Sequence, residues 1–240
     1  MSSANTFFRF RQFVVHQERA AMKVGTDGVL LGALAEMPPG AGPEPKALDI
    51  GTGTGLVALM VAQRFPRARV TAVEIDPGAA AQARDNCAAS PFADRVAVVE
   101  ADANLLPLAA YDLVVCNPPY FTEQLQCPDG RRNMARHAVG LTFADVARIA
   151  ASMLAPGGRL AVVVPFDAAP RLAAAAAGHG LRPVRQTTVY SVRRKPPRRA
   201  VCQFAGDAEG AAVLGDELTL LAADGSMTRE YADLTAEFYL

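Results

Sequence analysis

The tetrapeptide Asn117-Pro118-Pro119-Tyr120 follows directly after an apolar run, residues 113–116, and its chemistry suits methyl transfer to a planar nitrogen. The exocyclic amine of adenine is a weak nucleophile because its lone pair is delocalised into the ring. An asparagine oxygen and the carbonyl oxygen of the following proline can each accept one amine hydrogen, which turns that lone pair towards an incoming methyl group. The prolines fix φ and hold the carbonyl in place, and Tyr120 offers a stacking face for a base. Taken alone, the segment could also be a proline-rich turn.

A glycine-rich loop precedes an apolar periodic stretch that ends near Phe65, and the two together predict strand, loop and helix. Gly51, Gly53 and Gly55 permit a tight turn and a close approach of a ligand to the helix N-terminus. A dinucleotide-binding loop would carry G-x-G-x-x-G. The spacing G-x-G-x-G, with Asp49 just ahead, instead favours a nucleoside with a carboxylate tail.

Two acids follow strand-like segments further along the chain. Glu74 ends the segment 69–73 and is placed to hold both hydroxyls of a ribose. Asp102 follows the segment 96–100 and could accept from the amine of an adenine, although such an acid can also serve only for solubility. The carboxyl ends of parallel strands meet at one edge of a sheet. We therefore expect the glycine loop, both acids and the proline motif to converge on one pocket.

Strand and helix patterns alternate after a proline- and glycine-rich linker at residues 38–45, which predicts an α/β domain with a mostly parallel sheet. Residues 1–37 are predicted to form a partly helical lid packed on the main domain, residues 46–240. Asn86, at the end of a predicted helix, is interpreted as a cap. The remaining predicted elements are helices near 77–88, 143–154 and 168–177, strands at 160–164, 187–192 and 200–204, and a sheet edge closed by 218–221.

Length and composition fit one domain, since 240 residues with 51% hydrophobic residues can bury a full core. The four cysteines show no C-x-x-C spacing, so neither a zinc site nor a disulfide framework is indicated, and no metal is expected. No uninterrupted apolar run is long enough for a signal peptide or a membrane span, which predicts a cytoplasmic enzyme.

Charge is unevenly distributed in this formally neutral chain. Residues 131–199 hold 13 Lys or Arg and two Asp, whereas residues 200–240 hold one Arg and eight acids. A neutral protein with one basic segment is a candidate for binding a polyanion locally. The densest part is a predicted hairpin tip, where phosphate contacts are favoured over a solvated turn. Its basic residues are Arg193, Arg194, Lys195, Arg198 and Arg199.

The motifs resemble those of the S-adenosylmethionine-dependent class I amino-methyltransferases, and more narrowly of the bacterial valine-tRNA adenosine-37 methyltransferases. The narrower resemblance rests on residues 8–13, 21–28, 90–92 with Arg95, 135–137 and 234–240. In the hairpin, the family often has a Lys, a gap and a His-Arg or Lys-Arg pair. This chain has Lys-Pro-Pro-Arg-Arg at residues 195–199, which keeps the charge and changes the stiffness of the loop.

The resemblance implies a Rossmann-like, seven-stranded sheet with helices on both faces, S-adenosylmethionine as cofactor, and the anticodon loop of a tRNA as partner, with no obligate protein partner. It also implies that Lys23 contacts RNA. The residues implied to bind the cofactor are Thr26, Asp49, Gly51, Gly53, Gly55, Glu74, Asp102 and Asn117. Methylation of ribosomal RNA guanine or of a protein glutamine, and a non-catalytic RNA-binding scaffold, remain open as alternatives.

Overall fold

Strands and helices alternate along most of the chain, as the sequence predicts. The computed structural model describes residues 6–20, 22–119, 141–206 and 212–240. The strands are β1 (Phe7–Arg9), β2 (Val14–His16), β3 (Lys46–Ile50), β4 (Arg69–Glu74), β5 (Val96–Glu100), β6 (Tyr111–Cys116), β7 (Leu154–Pro165), β8 (Arg182–Val192), β9 (Arg199–Ala205) and β10 (Leu214–Leu221). The helices are α1 (Thr26–Leu34), α2 (Leu56–Arg64), α3 (Pro77–Ala88), α4 (Phe143–Met153), α5 (Ala169–Gly178) and α6 (Arg229–Thr235).

Eight strands form one sheet in the order β10-β8-β9-β7-β6-β3-β4-β5. β9 runs antiparallel to β7 and to β8, and the other neighbouring strands are parallel. The predicted open, mostly parallel sheet is therefore confirmed. It has one strand more than the seven expected, because β10 adds in parallel to β8 at the edge. The segment 218–221, predicted to close this edge, is the end of that strand.

Helices cover both faces of the sheet, and alternate residues of each central strand pack to opposite sides. In β3, Ala47 joins the apolar cluster that contains Leu59 of α2. Leu48 and Ile50 join the cluster on the other face, with Ile149 of α4. None of the helices in the described ranges has the length and apolar composition of a membrane span.

The N-terminal residues pack on the same core as the sheet. β1 and β2 form an antiparallel hairpin, in which Phe10 and Phe13 are buried with ring centroids 4.7 Å apart. The sequence prediction missed this hairpin, because two strands of three residues leave little periodicity to read. α1 then packs against α2 at Gly32, where an added Cβ would lie 2.7 Å from Met60. The absence of a side chain at Gly32 thus allows the two helices to approach closely.

Candidate cofactor and active site

The glycine loop adopts a conformation that requires glycine at alternate positions. Gly51, Gly53 and Gly55 have φ values of 69°, 58° and 84°, which side chains disfavour. A Cβ on Gly51 or Gly53 would meet open space, so the backbone conformation alone selects glycine there. A Cβ on Gly55 would also approach Cys87 Sγ to 3.3 Å. The Gly51 N–H donates to the carbonyl of Val73, 2.9 Å away, which fastens the loop to the end of β4.

Asp49 lies beneath the loop and is almost completely buried, with 1% of its surface exposed. The Thr52 hydroxyl donates to its Oδ2 over 2.6 Å, and the Ala58 N–H donates to the same oxygen over 3.1 Å. Asp49 therefore joins the end of β3 to the loop and to the first turn of α2. Burial raises the pKa of this carboxyl to about 7, against the hydrogen bonds that lower it.

The raised pKa of Asp49 gives a testable pH dependence of stability. The folded state favours the protonated acid, so unfolding releases a proton between about pH 4 and pH 7. Stability is consequently lost as the pH rises through this window, and the loss is complete above pH 7. Asp49→Asn removes the titrating group. The melting temperature of the variant minus that of wild type should therefore be larger at pH 8 than at pH 5, by about 5 °C or more. Parallel pH profiles in thermal melts of ligand-free protein would contradict this assignment.

Glu74 is tied to the glycine loop by its side chain. Its Oε2 accepts the Gly53 N–H over 2.8 Å, and its Oε1 accepts the N–H groups of Ile75 and Asp76 over 2.9 and 3.0 Å. The sequence predicts a ribose contact for this acid but gives no sign of these backbone contacts. Glu74 therefore fixes the shape of the loop in addition to its predicted role.

A cavity of about 340 Å³ opens beside the glycine loop at the carboxyl edge of the sheet. Its wall combines the loop, the residues around the start of α1, the end of β6 and the start of β9. The structure thus brings residues from four distant parts of the sequence to one space. The predicted site residues in its wall are Lys23, Thr26, Asp49, Gly51, Gly53, Asn117 and Arg199.

Other predicted site residues lie outside this wall. Gly55 is the N-cap of α2, and Glu74 reaches the loop from the end of β4. Pro118 is buried and Pro119 is exposed. The Asp102 Oδ1 accepts both the backbone and the side-chain N–H of Asn104, each over 2.9 Å, and so caps a short 3₁₀ turn. Tyr120 lies outside the described residues.

The basic hairpin contains two ion-paired arginines, Arg193 and Arg199, and three exposed cations. Arg193 donates to Glu217 on β10 over 2.5 Å, and its guanidinium lies 5.4 Å from the ring centroid of Tyr190. This contact holds the pKa of Glu217 below its usual range. The side chains of Arg194, Lys195 and Arg198 are exposed and form no ion pair with any residue in the described ranges.

The interpretation of Asn86 as a helix cap is wrong. Asn86 lies inside α3, fully buried, and the cap is Ala89. The Asn86 side chain donates to the carbonyls of His16 and Thr54, both over 2.8 Å, and accepts the His16 N–H over 2.9 Å. It therefore links the N-terminal hairpin to the glycine loop. No local signal could reveal these partners, because they lie far away in the sequence.

The three cysteines that the structure describes are small core residues. Cys87, Cys116 and Cys202 are free and buried, and burial raises the pKa of the Cys87 thiol to about 12. Cys127 lies outside the described residues. Within the described ranges, no group of three or more His, Cys, Asp or Glu side chains is placed to hold a metal ion.

The fold is that of a class I methyltransferase. Residues 22–172 match the family model described as the methyltransferase small domain. A predicted O-methyltransferase from Agrobacterium tumefaciens superposes with a TM-score of 0.67 and 23% identity, covering 88% of this chain and 96% of that one. The structure of P. horikoshii TYW2 in complex with MeSAdo superposes with a TM-score of 0.55 and 15% identity, covering 82% and 69%.

Relatives of known activity match nearly the whole chain. The tRNA1(Val) (adenine(37)-N6)-methyltransferase of Bacteroides thetaiotaomicron is 44% identical over 239 residues, which cover 99% of this chain and 98% of that protein. The protein with the same name from Aeromonas hydrophila is 41% identical and covers 98% of both chains. This chain belongs to the family of the tRNA1(Val) (adenine(37)-N6)-methyltransferases.

The cofactor of the enzyme is S-adenosylmethionine, and the residues present fit it. When bound, it supplies a methyl group carried by a positively charged sulfur. Gly51 and Gly53 leave open space beside the loop where side chains would project, and the carboxyl oxygens of buried Asp49 and loop-bound Glu74 would be the acceptors for its amino and hydroxyl groups. The residues that would hold it are thus the loop glycines with these two acids and Thr26.

Proposed function

We propose that the protein methylates the exocyclic amine of adenine 37 in a valine tRNA. The observation that carries this proposal is the position of Asn117, which lies in the wall of the same cavity as the glycine loop. An acceptor for an amine and the site of the methyl donor therefore face one space. The relatives that carry this activity in their names support the choice of substrate.

In the proposed mechanism, the main-chain and side-chain oxygens of the proline motif prepare the amine. The side-chain oxygen of Asn117 and the carbonyl of Pro118 each accept one amine hydrogen, so the nitrogen lone pair points out of the plane of the base. β6 is buried from Leu113 to Cys116 and Pro118 is buried too, which keeps both acceptors in place. No strong base is required, because the nitrogen becomes acidic as it is alkylated. Tyr120 stacks on the base in this proposal.

Position 37 suits a small enzyme of this kind. An unpaired loop base costs little to turn out into a pocket, so no separate element is needed to open a duplex. Because tRNA is the proposed substrate, we also propose a cytoplasmic location.

We further propose that residues 1–37 act as a substrate-facing segment on the methyltransferase domain, residues 46–240. Met22, Lys23 and Thr26 contribute to the wall of the cavity, which supports this role. Lys23 is the residue of this segment that we assign to RNA.

The function is tested with purified protein, S-adenosylmethionine and an unmodified valine tRNA transcript. Digestion and mass analysis of the nucleosides should show N6-methyladenosine, which should be absent from a matched transcript with guanine at position 37. Methylation of ribosomal RNA guanine or of a protein glutamine, with the tRNA unmodified, would favour the other amine substrates. Failure to bind S-adenosylmethionine in a calorimeter would favour the non-catalytic scaffold.

The proposed tRNA contacts of the hairpin can be tested separately. The triple substitution Arg194→Ser, Lys195→Ser and Arg198→Ser should weaken tRNA binding and reduce its salt dependence, with a slope change of about 0.7 to 0.9 for each phosphate interaction removed. Arg182→Ser is the matched control, because Arg182 is an exposed arginine at the end of β8 that lies away from the hairpin tip. The measurement is tRNA affinity at several salt concentrations. Parallel slopes for wild type and triple variant would make the hairpin tip a solvated turn.

A further inference from the structure

Arg199 lies in the wall of the cavity, although the sequence grouped it with the phosphate-binding hairpin tip. Its Nε donates to Asp27 Oδ1 over 2.8 Å, and its Nη1 donates to the carbonyl of Arg198 over 2.9 Å. The side chain is 30% exposed, compared with 66% for Arg193 at the tip. The guanidinium is therefore held at one point beside the first turn of α1.

The cavity carries charges of both signs. Asp27 and Asp49 contribute carboxylates, and Arg199 and Lys23 contribute cations. The amino-acid end of S-adenosylmethionine is a zwitterion, with a carboxylate and an ammonium group, and such a group needs partners of both signs. Glu74 and Asp102 are the two charged residues predicted to contact the nucleoside part of the cofactor. Neither of them lines this cavity. The part of the site between α1 and β9 is therefore left for the methionine end.

We infer that Arg199 binds the α-carboxylate of S-adenosylmethionine, and that Asp27 holds the guanidinium in position. A guanidinium can bind a carboxylate through two parallel N–H groups, which gives both strength and orientation. The exposed side chains at the tip are better placed for RNA phosphates than this recessed one. The inference rests on the methyl donor and not on the tRNA substrate.

The test uses two ligands that differ in the amino-acid end. S-adenosylhomocysteine carries the carboxylate, and 5′-methylthioadenosine lacks it. In calorimetric titrations, Arg199→Gln should weaken binding of S-adenosylhomocysteine by about 10- to 100-fold and leave that of 5′-methylthioadenosine within about twofold. Arg182→Gln is the matched control. Arg182 is an exposed arginine on β8, at the end away from Val189, the residue that pairs with Arg199. This substitution should leave the affinities for both ligands unchanged.

A second substitution at the same position gives an independent test. Arg199→Lys keeps the positive charge and loses the two parallel N–H groups. It should weaken binding of S-adenosylhomocysteine, but not of 5′-methylthioadenosine, and by less than Arg199→Gln does. This variant replaces Arg199→Gln if a thermal melt shows that the glutamine variant does not fold. Equal losses for both ligands would reduce Arg199 to a support of the cavity wall and overturn the inference. Unchanged affinity for S-adenosylhomocysteine with weaker tRNA binding would return Arg199 to the RNA contacts. Failure of the tRNA methylation assay would leave these titrations unaffected.

Discussion

Asn117→Ala is expected to lower the single-turnover rate of methylation by about 100-fold or more, while the affinity for S-adenosylmethionine changes little. The removed oxygen accepts a hydrogen from the amine, and this contact gains strength as the nitrogen becomes tetrahedral in the transition state. The loss should therefore appear in the chemical step. The measurement combines rapid-mixing kinetics at saturating tRNA with a titration of the cofactor.

Asn117→Gln gives a control for position at this site. It keeps the amide and displaces its oxygen by one methylene group, and we expect it to be slow as well because the acceptor must lie within hydrogen-bond reach of the amine. A thermal melt of each variant separates a local effect from unfolding. A near-normal single-turnover rate for Asn117→Ala would rule out the proposed role.

Glu74→Ala is expected to weaken S-adenosylmethionine binding by about 2–5 kcal/mol, through the loss of charge-assisted hydrogen bonds to the ribose hydroxyls. The structure adds a second cause, since the same carboxylate holds Gly53 and the backbone after β4. The measurement is a calorimetric titration with the folded variant. Unchanged affinity would mean that the ribose acid is misassigned.

Glu100→Ala is the matched control for Glu74→Ala. Glu100 pairs with Glu74 in the register of β4 and β5, and it forms an exposed ion pair with Arg84 at 3.1 Å. Exposed pairs of this kind contribute little, so cofactor affinity should not change. A 2′-deoxy analogue of S-adenosylhomocysteine separates the two causes. It should bind wild type more weakly than the parent compound, whereas Glu74→Ala should not distinguish the two.

Local physical rules were sufficient to predict the frame of the site. The glycine loop could be recognised from its alternating glycines, because glycine is the residue that readily adopts the positive φ values found there. The buried strands around it were apparent because burial on both faces demands apolar runs. The order of the motifs along the chain then placed Asn117 and the loop at one edge of the sheet.

The features that could not be predicted depend on contacts between distant residues. Asn86 joins partners from the N-terminal hairpin and the glycine loop, and its local sequence is that of an ordinary helix end. Arg199 is recessed because β9 begins at this residue. The run of basic residues in the sequence does not show where the strand begins. The contacts of Glu74 with the backbone depend on the folded shape of the loop, so composition and spacing carry no trace of them.

The start of β9 separates the cavity wall from the outer surface of the hairpin. Arg199 is fixed in register by Pro165 on one side and by Val189 on the other, and the backbone of Arg198 is hydrogen-bonded to Val189 and Phe166, whereas residues 193–197 form the connection between β8 and β9. Charge changes in residues 193–197 can therefore alter the outer surface without moving the cavity wall. The outer surface of the hairpin and the cavity wall are thus separable, and the two prolines of this chain, Pro196 and Pro197, lie on the outer side of that division.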